Sequence, residues 1–314
     1  MDATPTELNQ FPKDLIDWAG HHSGGVKRLF DENSGRPGKA LLRTNLLSKL
    51  EAWTRQVSSG TPGAPRVLLL VGGPGNGKTE AIESTARWLD NGLACSGRLI
   101  QALSCAFHPP IGHPVPRIVH VDVGSIAALG RPLQLDIVQD ASVDEELAAP
   151  VLLIEELRAL LAGPSSRLYL CCVNRGVLDD ALIHAIENHH EEARDLLEAI
   201  TRSVSLASNA HSCWPLQGFP EVAVWPMDAE SLLVSPDGES PSPGKALLKY
   251  ATDPASWPAP GQCQAAERCP FCSSQAILAR DEPRDALLKI LRWYELASGK
   301  RWSFRDLFSL TSYL

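Results

Sequence analysis

The chain has 314 residues, of which 44% are hydrophobic and 21% charged, with a formal net charge of -8. This length and composition exclude wholesale disorder and leave room for one large domain and a smaller one. The negative balance argues against a broad nucleic-acid-binding face, though it leaves open a local basic patch or a pore shared by several subunits.

Met1-Asp2-Ala3-Thr4-Pro5-Thr6-Glu7 is neither basic nor apolar and does not read as a signal peptide. No apolar run reaches the length of a membrane span. The expectation is a cytoplasmic protein, without membrane contact, whose eight cysteines stay reduced.

Residues 1–64 read as an N-terminal helical extension and linker. Helical stretches fall at Asp14–Trp18 and Ala40–Gln56, with turns at Gly35-Arg36-Pro37-Gly38 and at Ser58–Pro65. Residues 65–234 then alternate strand and helix, which predicts an α/β fold with a parallel sheet covered on both faces. Strands are expected at Arg66–Val71, Arg117–Val123, Leu133–Gln139, Arg167–Val173 and Glu221–Trp225. Helices are expected at Thr79–Asn91, at Leu147–Leu161 and over Val177–Leu206, the last with room for a break. Ser96–Pro116 reads as a Pro-rich loop exposing His108 and His113. Ser235–Gly244 reads as a mobile linker. It leads into a small helical domain over 245–314 with a helix at Asp285–Ala297.

The most informative run is Val67-Leu68-Leu69-Leu70-Val71 flowing into Gly72-Gly73-Pro74-Gly75-Asn76-Gly77-Lys78-Thr79, a buried strand followed by G-x-x-x-x-G-K-T. Glycine lets such a loop approach a polyphosphate closely, and its exposed N–H groups form an anion nest at the start of a helix. The helix then runs Thr79-Glu80-Ala81 onward with amphipathic spacing. Lys78 is expected to reach the β- and γ-phosphates, and the Thr79 hydroxyl to ligate Mg²⁺. The alternative is a glycine-rich turn with a surface lysine.

Such a loop needs an acidic partner on a nearby strand. Asp140, after Leu135-Asp136-Ile137-Val138-Gln139, is preferred over Asp122, after Ile118-Val119-His120-Val121. Either could instead cap a turn. The next residue is Ala141, where many ATPases carry a glutamate that polarises the attacking water. Glu145 or Glu146 is a substitute, and Glu155-Glu156 after Val151-Leu152-Leu153-Ile154 is a further alternative. Asn174 ends the strand Arg167–Val173 as an uncharged donor and acceptor able to meet a γ-phosphate or water; the plainer option is a strand-ending Asn-Arg turn.

On these motifs the chain resembles the AAA+ P-loop ATPases over roughly residues 40 to 314. Gly72–Thr79 is similar to their Walker A loop, and Val173-Asn174-Arg175-Gly176 with Leu178-Asp179-Asp180-Ala181-Leu182 is similar to their sensor 1 strand and its sequel. The resemblance implies a P-loop NTPase αβα sandwich plus a small helical lid, with nucleotide at a subunit interface of a homo-oligomer. It also implies Arg202 at the arginine-finger position, with Arg194 and Arg175 as rivals, and Arg305 as sensor 2 in a helix that Ser303 can N-cap, the alternative being a surface Arg in that first turn. ATP is favoured over GTP because no N-K-x-D motif occurs. AAA+ proteins of bacterial anti-phage defence, with a zinc-like insertion in the lid, have this general look. The apolar helical pattern running up to Leu314 reads as part of a longer protein.

Cys263-x5-Cys269-x2-Cys272 suggests a Zn²⁺ site, with Cys213 or His211 as a fourth ligand; the alternative is a metal-free turn. Cys171 and Cys172 read as small core residues. The leading expectation is an ATPase that hydrolyses ATP with Mg²⁺ and couples it to oligomer movement. A slowly hydrolysing switch or scaffold in a larger signalling or defence assembly is second. A P-loop kinase or DNA-processing factor is third, disfavoured by the acidic balance.

Overall fold

The computed structural model describes residues 29–30, 41–127, 129–143, 147–205, 212–257, 263 and 268–314. The expected helix at Asp14–Trp18 and the turn at Gly35–Gly38 lie outside them. The described residues form two compact units, Leu46–Ala229 and Glu230–Leu314, the latter together with residues up to Asn45.

The first unit holds a five-stranded sheet: β1 Val67–Val71, β2 Val119–Asp122, β3 Gln134–Val138, β4 Arg167–Val173 and β5 Val222–Pro226. The order is β2-β3-β4-β1-β5, and every strand lies within two residues of its expected bounds. All five residues of β1 are fully buried. A strand flanked by parallel neighbours and covered on both faces needs such an unbroken apolar run, because alternate side chains enter opposite layers. Its neighbours β4 and β5 are parallel to it, as is β3 to β4.

The sheet departs from the all-parallel expectation at its edge, where β2 runs antiparallel to β3. Among the described residues of the intervening stretch 123–133, the one element is the one-turn helix α4 (Val123–Ile126). The stretch closes tightly, with Gly124 N–H donating to Leu133 O at 3.0 Å. A parallel return needs a crossover of a dozen residues or more, so this short link reverses the strand.

The remaining helices of this unit are α1 (Asn45–Ser59, with Asn45 at the boundary), α2 (Lys78–Gly92), α3 (Arg98–Phe107), α5 (Ala149–Ala162), α6 (Arg175–Glu187) and α7 (Glu191–Ser203). On one face Val67, Leu69, Val71, Tyr169 and Val173 pack with Leu153, Leu157, Ala181, Leu196 and Ile200 of α5–α7. Leu68 and Leu70 alternate to the other face and are equally buried. The result is an α/β architecture compatible with an αβα sandwich.

Several boundaries differ from the sequence expectations. The helix of the expected N-terminal extension packs with the sheet unit: Trp53 is buried, and its indole N–H donates to Pro65 O at 2.7 Å. The first part of the Ser96–Pro116 loop is α3, which buries Leu99, Leu103 and Phe107 at four-residue spacing, while His108 and His113 are exposed as expected. The long helical run divides at Asn188–His190, where His189 takes a φ of 55°. Within the expected linker Ser235–Gly244, side-chain hydrogen bonds organise Ser235–Ser240, and Pro243 and Gly244 already belong to the next helix. Asp237 Oδ1 accepts the Glu239 and Ser240 N–H groups at 3.0 and 2.7 Å, and Ser242 then caps the next helix.

The second unit contains α8 (Pro243–Ala251), α9 (Pro270–Leu278), α10 (Asp281–Ser298) and α11 (Phe304–Tyr313) around Leu232, Leu247, Leu291, Leu307 and Phe308. A fully buried carboxylate, Glu295, ties it together. It accepts from Ser231 Oγ and Arg292 Nη1 at 2.6 Å each and from Trp302 N at 3.2 Å. Among the described residues no helix is long and apolar enough to cross a membrane.

Candidate functional site

The Gly72–Thr79 loop leaves the buried end of β1 and turns into α2. Gly72 is still tied to the sheet: its N–H donates to Val173 O at 3.0 Å, and the Met227 N–H donates to Val71 O at 2.8 Å. A Cβ on Gly72 would lie 2.9 Å from Met227 Cβ and 3.0 Å from Asn76 Nδ2, so crowding keeps this position side-chain-free. Gly75 and Gly77 need glycine for a different reason, since both take φ of 84°, in the left-handed region. Gly73 has neither constraint among the described residues, and Pro74 is exposed on the turn.

Helix α2 begins at Lys78 with Gly77 as its N-cap, and no side chain caps it. A helix start presents backbone N–H groups and the positive end of the dipole, which favour an anion. Lys78 adds to this, its Nζ curling back to donate to Gly72 O at 3.0 Å. Thr79 and Glu80 are half-buried in the first turn, and Glu80 accepts from Ser84 Oγ at 3.1 Å.

Strand β4 lies between β1 and β3 and carries the segments on either side of it. Gly72 hangs on Val173 O, and Ala141 N–H donates to the adjacent Cys172 O at 2.9 Å. Asp140, just before Ala141, is exposed, and its Oδ1 accepts from Ser142 N and Oγ at 3.0 and 2.7 Å. Burial pushes the Cys172 thiol up to about 12, with Lys78 pulling it down and Asp140 pushing it further up.

Beyond Val173, Asn174 is the N-cap of α6, its Oδ1 accepting from Val177 N at 2.9 Å. Arg175 makes a bidentate pair with Asp228, 2.9 Å for each bond, which joins the segments following β4 and β5 beside Gly72. This pair was not foreseen; 53 residues separate its members and no local pattern marks it.

The topology separates the two acidic candidates. Asp122 is paired with Gln134, the first residue of β3, and so sits at the opposite end of the sheet from Asp140. Its side chain accepts from Ser125 N, capping α4. Glu155 and Glu156 lie inside α5, not after a strand. Glu156 accepts from Arg117 Nε and from Tyr169 Oη, 2.6 Å each, while Arg117 Nη1 donates to the carbonyls of Ala141 and Val143. This buried network, unforeseen from sequence, pins the turn that follows Asp140. Glu145 and Glu146 lie outside the described residues.

The arginines are dispersed. Arg202 is exposed near the end of α7 and paired with Glu198 at 3.0 Å; Arg194 is held by Glu191 and Asp195 on the same helix. Arg305 belongs to the second unit, in the first turn of α11, which is closed by the expected Ser303 cap in a capping box with Asp306.

Also in the second unit, Cys263, Cys269 and Cys272 bring their sulfurs within 4.8 Å of one another, a cluster that can hold a metal such as zinc. Hydrogen bonding from the Cys272 backbone lowers the Cys269 thiol, whereas burial pushes Cys272 up to about 11. Cys213 belongs to the first unit, where burial raises its thiol; His211 lies outside the described residues. Cys171 and Cys172 are fully buried, as expected of core residues. Comparison with family models, with curated proteins and with solved structures gives no match for this chain.

Proposed function

We propose that the chain binds ATP with Mg²⁺ and hydrolyses it, as a P-loop ATPase of the AAA+ kind. The observation that carries this reading is the Gly72–Thr79 loop, with its uncapped helix start and the Lys78 ammonium folded over it. In this reading the N–H groups of the loop and of the first turn of α2 bind phosphate oxygens. Lys78 exchanges Gly72 O for the β- and γ-phosphates. Thr79 and Asp140 are hard oxygen donors of the kind Mg²⁺ takes, and the exposure of Asp140 at its strand end suits that role. Bound Mg²⁺ supplies charge neutralisation on the phosphates. The Asn174 oxygen is engaged in capping α6, which leaves its NH₂ end to meet a γ-phosphate. Arg202, exposed on α7, is the group a neighbouring subunit could use in a homo-oligomer, and Arg305 would serve as the sensor of the helical unit.

A second reading rests on Ala141. The position after Asp140 carries no acid, and the alanine there is fully buried with its N–H bonded to Cys172 O. A slowly hydrolysing switch or scaffold fits that feature better than a fast motor. Equilibrium ATP binding and single-turnover hydrolysis, on wild type and Lys78→Ala, test both. Loss of one charge-assisted contact of about 1.5–3 kcal/mol predicts binding weakened about 10- to 100-fold in the variant. Unchanged affinity would remove the loop from the reading. Tight binding by wild type without turnover would select the switch.

A further inference from the structure

Helix α9 is short and poorly packed. None of its nine residues is buried, and isolated helices of this length are marginal in water because nucleation costs more than one turn returns. Its C-terminal half has visible support. Arg284 Nη1 donates to Leu278 O and Ala279 O at 3.4 and 3.2 Å, and Gln275 Nε2 donates to Thr252 O at 2.8 Å. At its N-terminal end, three thiols converge. Cys269 is the N-cap residue and Cys272 lies in the first turn, so one helical turn sets two sulfurs side by side, and Cys263 brings the third from the preceding chain. All three are free cysteines.

We propose that Cys263, Cys269 and Cys272 bind one Zn²⁺ as thiolates, and that this metal, in place of side-chain burial, holds the N-terminal half of α9. Tetrahedral zinc with Zn–S bonds of about 2.3 Å spaces its sulfurs about 3.8 Å apart. The observed spread, within 4.8 Å, closes to that by shifts of an ångström or less. The thiol protons are released to solvent on binding, and a fourth position remains for water or another donor. A C-x-x-C pair at a helix start with a third cysteine upstream supplies the soft donors that select zinc over magnesium or calcium. The trio and the Gly72–Thr79 loop lie in different compact units, so neither reading depends on the other.

The test uses the full chain purified without chelator under reducing conditions. Metal analysis is expected to give about one zinc per chain, falling at least several-fold in both Cys269→Ser and Cys272→Ser but not in Cys105→Ser, whose thiol is exposed elsewhere. Co²⁺ exchanged into wild type is expected to show sulfur-to-metal charge transfer. Hydrogen exchange over residues 270–278 is expected to quicken on chelation while β1 and β4 are unchanged. Wild type that neither retains zinc nor gives the Co²⁺ band would overturn the proposal, as would zinc kept by both serine variants. Full occupancy with exchange in α9 indifferent to chelation would overturn the holding role.

Discussion

The strand-end loop and the cysteine trio sit on opposite kinds of support. Around Gly72–Thr79, position is inherited from packing: β1 is fully buried, Gly72 and Ala141 hang on neighbouring carbonyls of β4, and Arg117 braces the turn after Asp140. Around Cys263, Cys269 and Cys272 there is a helix with nothing buried. A polar group on a packed sheet is held in place before any ligand arrives. On the zinc reading, thiols gathered at the start of such a helix, with Cys269 at the N-cap itself buried, have their geometry completed by the metal.

The sharpest way to break this contrast is at the brace. Arg117 and Glu156 are 2% and 10% exposed and bonded at 2.6 Å. Removing one member leaves an uncompensated buried charge, so Arg117→Met is expected to cost about 3–5 kcal/mol in urea unfolding. The double variant with Glu156→Met should cost less than the sum of the two single changes. Additive losses would mean that the pair is not a unit.

A smaller effect separates the two aspartates. On the proposed ATPase reading, Asp140→Asn is expected to leave ATP binding intact and slow hydrolysis about 100-fold, equivalent to about 2.7 kcal/mol of barrier. Asp122→Asn, at the far end of the sheet, should leave turnover alone. The reverse pattern would move the chemistry away from β3.

The smallest effect compares thiols at neutral pH. Cys171 and Cys172, whose thiols burial pushes far up, should resist alkylation with or without chelator. The trio should gain reactivity on chelation, read as extra labels by mass spectrometry. Labelling of Cys172 in the folded chain would mean that the sheet opens more readily than its burial indicates.

Much of the sheet was legible because apolar, β-branched runs bounded by turn residues mark strands locally; Arg167–Val173 appears with its expected bounds. The direction of β2 was not, because it depends on the length and closure of the link to β3. Helix α3 was hidden behind the prolines that follow it, although Leu99, Leu103 and Phe107 carried the helical spacing. The loop glycines were legible as a motif, but only the structure separates crowding at Gly72 from left-handed backbone at Gly75 and Gly77. Arg175–Asp228 and Arg117–Glu156 had no signal at all. Each joins residues that are distant in sequence, and a charge beside an apolar run has many ordinary explanations.

The carbonyls of Cys172 and Val173 belong to successive residues, about 3.3 Å apart along a parallel strand. Strand β4 therefore works as a ruler. A one-residue slip of β4 would turn these carbonyls to the opposite edges, so the bonds from Gly72 and Ala141 would be lost together. An added residue near the end of β1 or β3 would change the spacing between Gly72 and Ala141 at once. An insertion within β4 is thus expected to disturb the loop and the Asp140 segment together, whereas one near the end of β1 or β3 displaces only the segment that follows it.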